Sequence, residues 1–205
     1  TTQLDLGLQF RGRTLDAWVS AYAGRLQDYI LFTYRSGGMM GSSTRAGNVD
    51  ARIAGAEAGL EWRPAQGLKL GSTLAEAWGG NRDEQRPLPQ IPPLEGRFSA
   101  SWEYARWSTG ALLRVVAGQD RVAQDEGNVV ARDLGPSAGF ATLSLNAAYR
   151  MGDGLRASAG VDNVFDRAYA EHLNLAGSAD FGFPADPVRI NEPGRTLWLK
   201  LDYRY

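Results

Sequence analysis

The side chains in this sequence best suited to a soft or borderline metal ion are few. Met39 and Met40 sit together in a Gly/Ser-rich stretch, and His172 is the single histidine. Thioether sulfur favours Cu(I), and imidazole ligates copper or zinc. These three are the candidate ligands, although an exposed Met pair ordinarily fills a loop and a lone His is weak support. The chain has no cysteine, which removes thiolate sites and disulfides. One His and no Cys leave few nucleophile and base combinations, and no triad or acid pair stands out, so the sequence does not read as an enzyme. Gly152–Asp153–Gly154 is a turn and not a phosphate cradle, because no strand-to-helix context follows it, and no cofactor is expected in this stretch. Twenty-two basic and 23 acidic residues give a net charge of -1, which leaves no electrostatic footprint for nucleic acid. Asp83, Glu84, Asp125 and Glu126 are interleaved with Arg82, Arg86, Arg121 and Arg132, so these segments carry no single-sign field either.

What must position these residues is read from periodicity. No run approaches the ~18 apolar residues of a membrane helix, and the mean hydropathy is -0.33. Period-two alternation instead predicts nine strands, at 3–11, 14–32, 50–63, 67–78, 96–105, 109–119, 140–150, 154–165 and 195–205. In the first, Leu4, Leu6, Leu8 and Phe10 alternate with Gln3, Asp5 and Gln9; in the last, Leu197, Leu199, Leu201, Tyr203 and Tyr205 alternate with Lys200, Asp202 and Arg204.

The connections alternate in length. Short ones fall at 11–13, 64–67, 105–109 and 151–154; long ones fall at 34–48, 79–95, 118–139 and 166–194. Because consecutive antiparallel strands send odd and even connections to opposite ends of a sheet, all short turns share one end. This is the pattern of an outer-membrane β-barrel, with short periplasmic turns and long extracellular loops. Phe10, Trp62, Tyr104, Tyr149 and Tyr205 lie on the apolar faces beside the short turns or the terminus, which predicts a periplasmic aromatic girdle in contact with outer-membrane lipid. Asp16, Glu57 or Glu61, Arg114 and Lys200 fall on the opposite, lumenal face and are expected to hydrogen-bond one another or a plug.

Nine is an odd number and leaves two unpaired sheet edges, so residues 1–205 are expected to be the C-terminal portion of a larger antiparallel barrel in the bacterial outer membrane. The missing strands are expected on a second chain of the same protein.

Two blocks carry a family resemblance. Asn163, Val164, Phe165, Asp166 and Tyr169 form an Asn-Val-Phe-Asp-x-x-Tyr block, and Pro193, Gly194 and Arg195 a Pro-Gly-Arg block before the last strand. Together they resemble the C-terminus of TonB-dependent outer-membrane receptors. The resemblance implies an all-β, 22-stranded barrel of which these are the last nine strands, with an N-terminal plug outside this chain and TonB as the energy-coupling partner. It also implies that Leu197, Leu199, Leu201, Tyr203 and Tyr205 are the signal read by the barrel assembly machinery. Within the family, the runs at 48–62 and 168–184 look most like the TonB-dependent copper receptors. That likeness implies copper as the transported ion, captured by Cys, Met and His residues of the plug and an earlier barrel segment. The alternatives are a receptor for a ferric siderophore or another chelate, and a passive porin-type barrel.

Overall fold

The computed structural model describes residues 1–35, 43–128, 131–152, 154–176 and 188–204. Each alternating run forms a strand: β1 (Thr2–Arg11), β2 (Leu15–Arg35), β3 (Ser43–Ala65), β4 (Leu68–Asn81), β6 (Glu95–Tyr104), β7 (Trp107–Val116), β9 (Phe140–Met151), β10 (Leu155–Asp162) and β11 (Thr196–Tyr203). Two-residue strands β5 (Arg86–Pro87) and β8 (Glu126–Gly127) lie within long connections. The sheet runs β1-β2-β3-β4-β6-β7-β9-β10-β11, each strand antiparallel to its neighbour, and β1 and β11 are its edges.

Register separates two faces. Leu8, Val19 and Ala58 lie opposite one another, as do Val161 and Leu197, and Leu113 and Leu143. This face is exposed: Leu6 is 67% accessible and Leu199 74%, which for a water-facing sheet is an untenable apolar area. The other face aligns Asp16 with Glu61, Arg97 with Arg114, and Ser158 with Lys200. A sheet apolar outside and polar inside is a barrel wall set in lipid.

On the lumenal face, bulky aromatics lie over glycines directly opposite. Trp18 faces Gly59, Tyr22 faces Gly55 and Trp198 faces Gly160. A Cβ at Gly59 would stand 2.3 Å from the Trp18 ring, so the absent side chain is what lets the indole lie flat across the neighbouring strand.

Beside the short turns Trp102 stacks on Tyr104 at 5.5 Å and Trp107 meets Tyr149 at 4.7 Å, which adds two rings to the row expected of Phe10, Trp62, Tyr104 and Tyr149. Tyr205 lies outside the described residues, and Tyr203 is the described aromatic nearest the end of β11.

Several expected boundaries are corrected. β2 and β3 pair from Arg35↔Ser43 downward, so most of the expected 34–48 loop is hairpin stem beyond the apolar band. The 79–95 connection begins after Asn81 and contains β5; the 118–139 connection contains β8. β7 starts at Trp107, leaving a two-residue turn in which Ala105 takes a positive φ of 51°. β10 stops at Asp162, and Asn163, at φ 50°, opens a turn where the strand was expected to run to 165.

Candidate functional site

The long connections do not stand apart from the wall; they fold over one end of it and into its polar face. β8 pairs with β2, matching Phe32 with Gly127 and Thr33 with Glu126, although β2 lies far from β7 and β9 in the sheet order. The connection that carries β8 therefore crosses from one part of the wall to another, and the Tyr34 N–H donates to the Asp125 carbonyl at 2.8 Å.

Asp133 holds this crossing together. It is 2% exposed; its Oδ2 accepts the backbone N–H groups of Ala123 (3.1 Å) and Gln90 (3.3 Å), and its Oδ1 that of Gly135 (2.8 Å). Three donors satisfy a carboxylate that burial would otherwise penalise. Buried Glu126 pairs with Arg86, which also reaches Glu84, tying β5 to β8.

A second tie joins the final connection to the lumen wall. Arg114 of β7 donates to Glu95 of β6 through Nε and Nη2, both at 2.8 Å, and to Glu171 through Nη1 and through Nη2 at 3.1 Å. The guanidinium also lies 5.3 Å from the Phe140 ring centre, and Tyr169 packs on Phe140 at 4.2 Å. Nearer the short turns, Arg63 bridges Asp16 (2.6 Å) and Glu61, and Lys200 pairs with Asp202 at 2.7 Å. Among the lumenal charges named from sequence, Asp16, Glu61, Arg114 and Lys200 are thus paired within the chain. Glu57 instead lines a recess of about 390 Å³ with Trp18, Tyr22 and Arg97.

The candidate metal ligands fare differently. Met39 and Met40 lie outside the described residues. His172 is buried at 6% exposure; its Nδ1 lies 3.0 Å from the Ser137 hydroxyl, and its Nε2 has no partner. Burial, and then the Arg189 guanidinium, depress its pKa from the ordinary 6.5, so the ring is neutral. Among the described residues no three His, Cys, Asp or Glu side chains gather as metal ligands would. Sequence spacing gave no sign that His172 would be buried, because its cover comes from Ser137 and Arg189 on other segments.

The two motif blocks meet. Asn163 is 5% exposed; its Nδ2 donates to the carbonyls of Arg167 (2.9 Å) and Pro193 (3.4 Å), and its Oδ1 accepts the Arg167 N–H at 2.9 Å. Val164 N–H donates to Leu143 of β9, and the Tyr169 carbonyl accepts the Glu192 N–H. Asp166 accepts the Arg195 N–H at 2.8 Å, and a Cβ at Gly194 would stand 2.8 Å from that carboxylate oxygen. Phe165 projects outward, 71% exposed. The blocks thus join the end of β10 to the start of β11.

The sequence profile described as "TonB dependent receptor-like, beta-barrel" matches residues 1–164. Among solved structures, the chain is 55% identical to the copper transporter OprC, with a TM-score of 0.93 over 98% of this chain and 30% of that one. It is 24% identical to a G324V mutant of the ferric enterobactin receptor PfeA from Pseudomonas aeruginosa, with a TM-score of 0.74 over 98% and 30% of the two chains. For the FrpB iron transporter from Neisseria meningitidis (F3-3 variant) the identity is 16% and the TM-score 0.69, again over 98% and 30%. The last two likenesses bear on the fold alone, and no curated protein sequence matches. The chain spans about 30% of the length of each of these structures. Wall, motif blocks and profile agree, and this chain belongs to the TonB-dependent receptor β-barrel family of the bacterial outer membrane.

Proposed function

We propose that the chain forms part of the wall and the extracellular cap of a TonB-dependent importer of copper. The observation that carries this reading is the 55% identity to OprC at a TM-score of 0.93, well above the 24% identity to the enterobactin receptor. In this reading the remaining strands and an N-terminal plug belong to the rest of the receptor. TonB acts on the plug, and the barrel assembly machinery reads the β11 strand.

The chemistry assigned to this chain is positional. Arg114, Glu95 and Glu171 pin the last connection against the wall, and Asp133 and Glu126 hold the crossing connection over the lumen. A ligand passing the cap must move loops held by these polar contacts, whose closely spaced charged hydrogen bonds can re-form once it has passed. The copper ligands themselves are assigned to the plug and an earlier barrel segment.

Metal analysis of the complete detergent-purified receptor, equilibrated with copper, zinc and iron salts, tests the reading. A parallel sample carries Met39→Leu and Met40→Leu. Selective, stoichiometric copper in both samples supports a copper importer with ligands elsewhere. Loss of copper only in the variant moves the site onto the 36–42 segment. A receptor that retains no copper refutes the cargo assignment and leaves a chelate receptor as the leading reading.

A further inference from the structure

The lipid-facing side of the wall carries an arrangement separate from the polar contacts of the lumen and cap. Arg25 of β2 lies directly opposite Arg52 of β3, on the same face as the neighbouring pair Ala23 and Ala54. Like charges in directly opposed positions destabilise a sheet, and an arginine on a lipid face is costly unless it reaches the interface. Arg82, just past the end of β4, joins them: its N–H donates to the Asp50 carbonyl at 2.7 Å, and all three arginines line one recess of about 950 Å³ together with Trp78. All three are exposed, and among the described residues none has a side-chain hydrogen bond or an ion pair. Asp50 also lines the recess, but its carboxylate lies outside ion-pair distance of all three guanidinium groups.

Height decides what they meet. Arg52 stands ten residues along β3 from the girdle residue Trp62. At about 3.3 Å per residue and a strand tilt of about 40°, that is about 25 Å above the girdle, the thickness of a barrel's apolar band. Trp78, opposite Ala54, lies just below the arginines and serves as the aromatic of the far interface. Three unpaired guanidinium groups therefore stand where the headgroups of the outer leaflet begin. Guanidinium matches phosphate geometry in pairs of parallel hydrogen bonds, and a dianionic phosphate would relieve the Arg25–Arg52 repulsion.

We propose that Arg25, Arg52 and Arg82 form a binding site on the barrel exterior for the phosphate of an outer-leaflet lipid headgroup, with the acyl chains lying along the apolar face below. The complete receptor, delipidated in detergent, is incubated with diphosphoryl lipid A, with the same lipid after removal of its phosphates, or with inorganic phosphate, and retained adducts are counted by native mass spectrometry. The receptor is expected to retain diphosphoryl lipid A. The R25Q/R52Q/R82Q variant is expected to lose about tenfold or more in retention, as removal of charged hydrogen bonds of this kind does. The single variant R52Q, which alters one exposed side chain, is expected to lose retention several-fold while keeping the heat-modifiable electrophoretic mobility of a folded barrel. Equal retention by R52Q and the unchanged receptor, or equal retention of the dephosphorylated lipid, overturns the site. Inorganic phosphate retained as well as the lipid overturns the lipid as its occupant.

Discussion

Asp166 and Arg195 are 29 positions apart in sequence, yet the carboxylate of the first accepts the backbone N–H of the second at 2.8 Å. This bond fixes where β11 begins against β10, and so which face each β11 residue takes, since a one-residue slip would turn Leu197, Leu199 and Leu201 into the lumen. The Arg195 guanidinium adds little, lying 3.8 Å from Asp166 with both side chains about half exposed. Asp166→Ala is expected to lower unfolding stability by about 1–2 kcal/mol, and Asn163→Ala by about 1–3 kcal/mol because it removes a buried amide that donates to the Arg167 and Pro193 carbonyls and accepts the Arg167 N–H. Urea titration of the folded barrel, followed by its electrophoretic mobility shift, gives both values. Arg195→Gln should be near neutral; a loss as large as that of Asp166→Ala would mean that the ion pair matters and the backbone bond does not.

Alternation along β11 gives a test of the lipid face. Leu199 is 74% exposed and sits four residues from Tyr203, close to mid-depth, whereas neighbouring Lys200 faces the lumen. Leu199→Arg is expected to cost about 2–4 kcal/mol in a bilayer, the penalty for arginine near the midplane, and Lys200→Leu much less. Folding efficiency into phosphatidylcholine vesicles distinguishes them. The reverse order would place the lipid on the other face.

Arg114 holds two carboxylates, one from the wall and one from the last connection. Arg114→Met leaves Glu171 without its cation and Glu95 with Arg97 alone, and the connection should lift away. Glu171→Gln keeps the Glu95 pair and should loosen the connection only modestly. Limited proteolysis of the intact receptor is expected to cut the 163–195 connection several-fold faster in Arg114→Met, at an unchanged overall unfolding midpoint to within about 1–2 kcal/mol. Equal cleavage rates in all three proteins would show that the connection is held by other contacts.

Much of this organisation is legible in the sequence because lipid and lumen impose opposite demands on alternate residues. Leu4, Leu6 and Leu8, or Ala54, Ala56 and Ala58, report the face directly. The alternation says less above the apolar band: the hairpin stem that pairs Arg35 with Ser43 is covered in part by β8, with Leu31 buried, and no lipid imposes a period on its residues. β8 is invisible for another reason. Its two residues make a pairing with β2 whose partner is about 94 positions away, and two residues have no period. The burial of His172 is likewise tertiary, set by Ser137 and Arg189. A row of aromatics near the short turns is legible in the same way. Trp102 and Trp107 extend that row less legibly, the first lying one position higher on its strand and the second at the edge of a turn.

His172 gives the cap a pH dependence whose sign follows from its burial. Its folded pKa is depressed below the ordinary 6.5, so in the window from 6.5 down to that lower value the opened state binds a proton that the closed state does not. The contribution of this residue to closure is complete above pH 6.5 and is lost as pH falls through the folded value. Hydrogen exchange around Ser137 and His172 should therefore quicken as pH falls below 6.5 beyond the intrinsic chemical trend, and His172→Gln, which keeps a polar group near Ser137 and does not titrate, should abolish the excess. An excess that survives in the variant would assign the titration to another group. An excess that grows above pH 6.5 would mean that the imidazole is held protonated, contrary to its burial beside the Arg189 guanidinium.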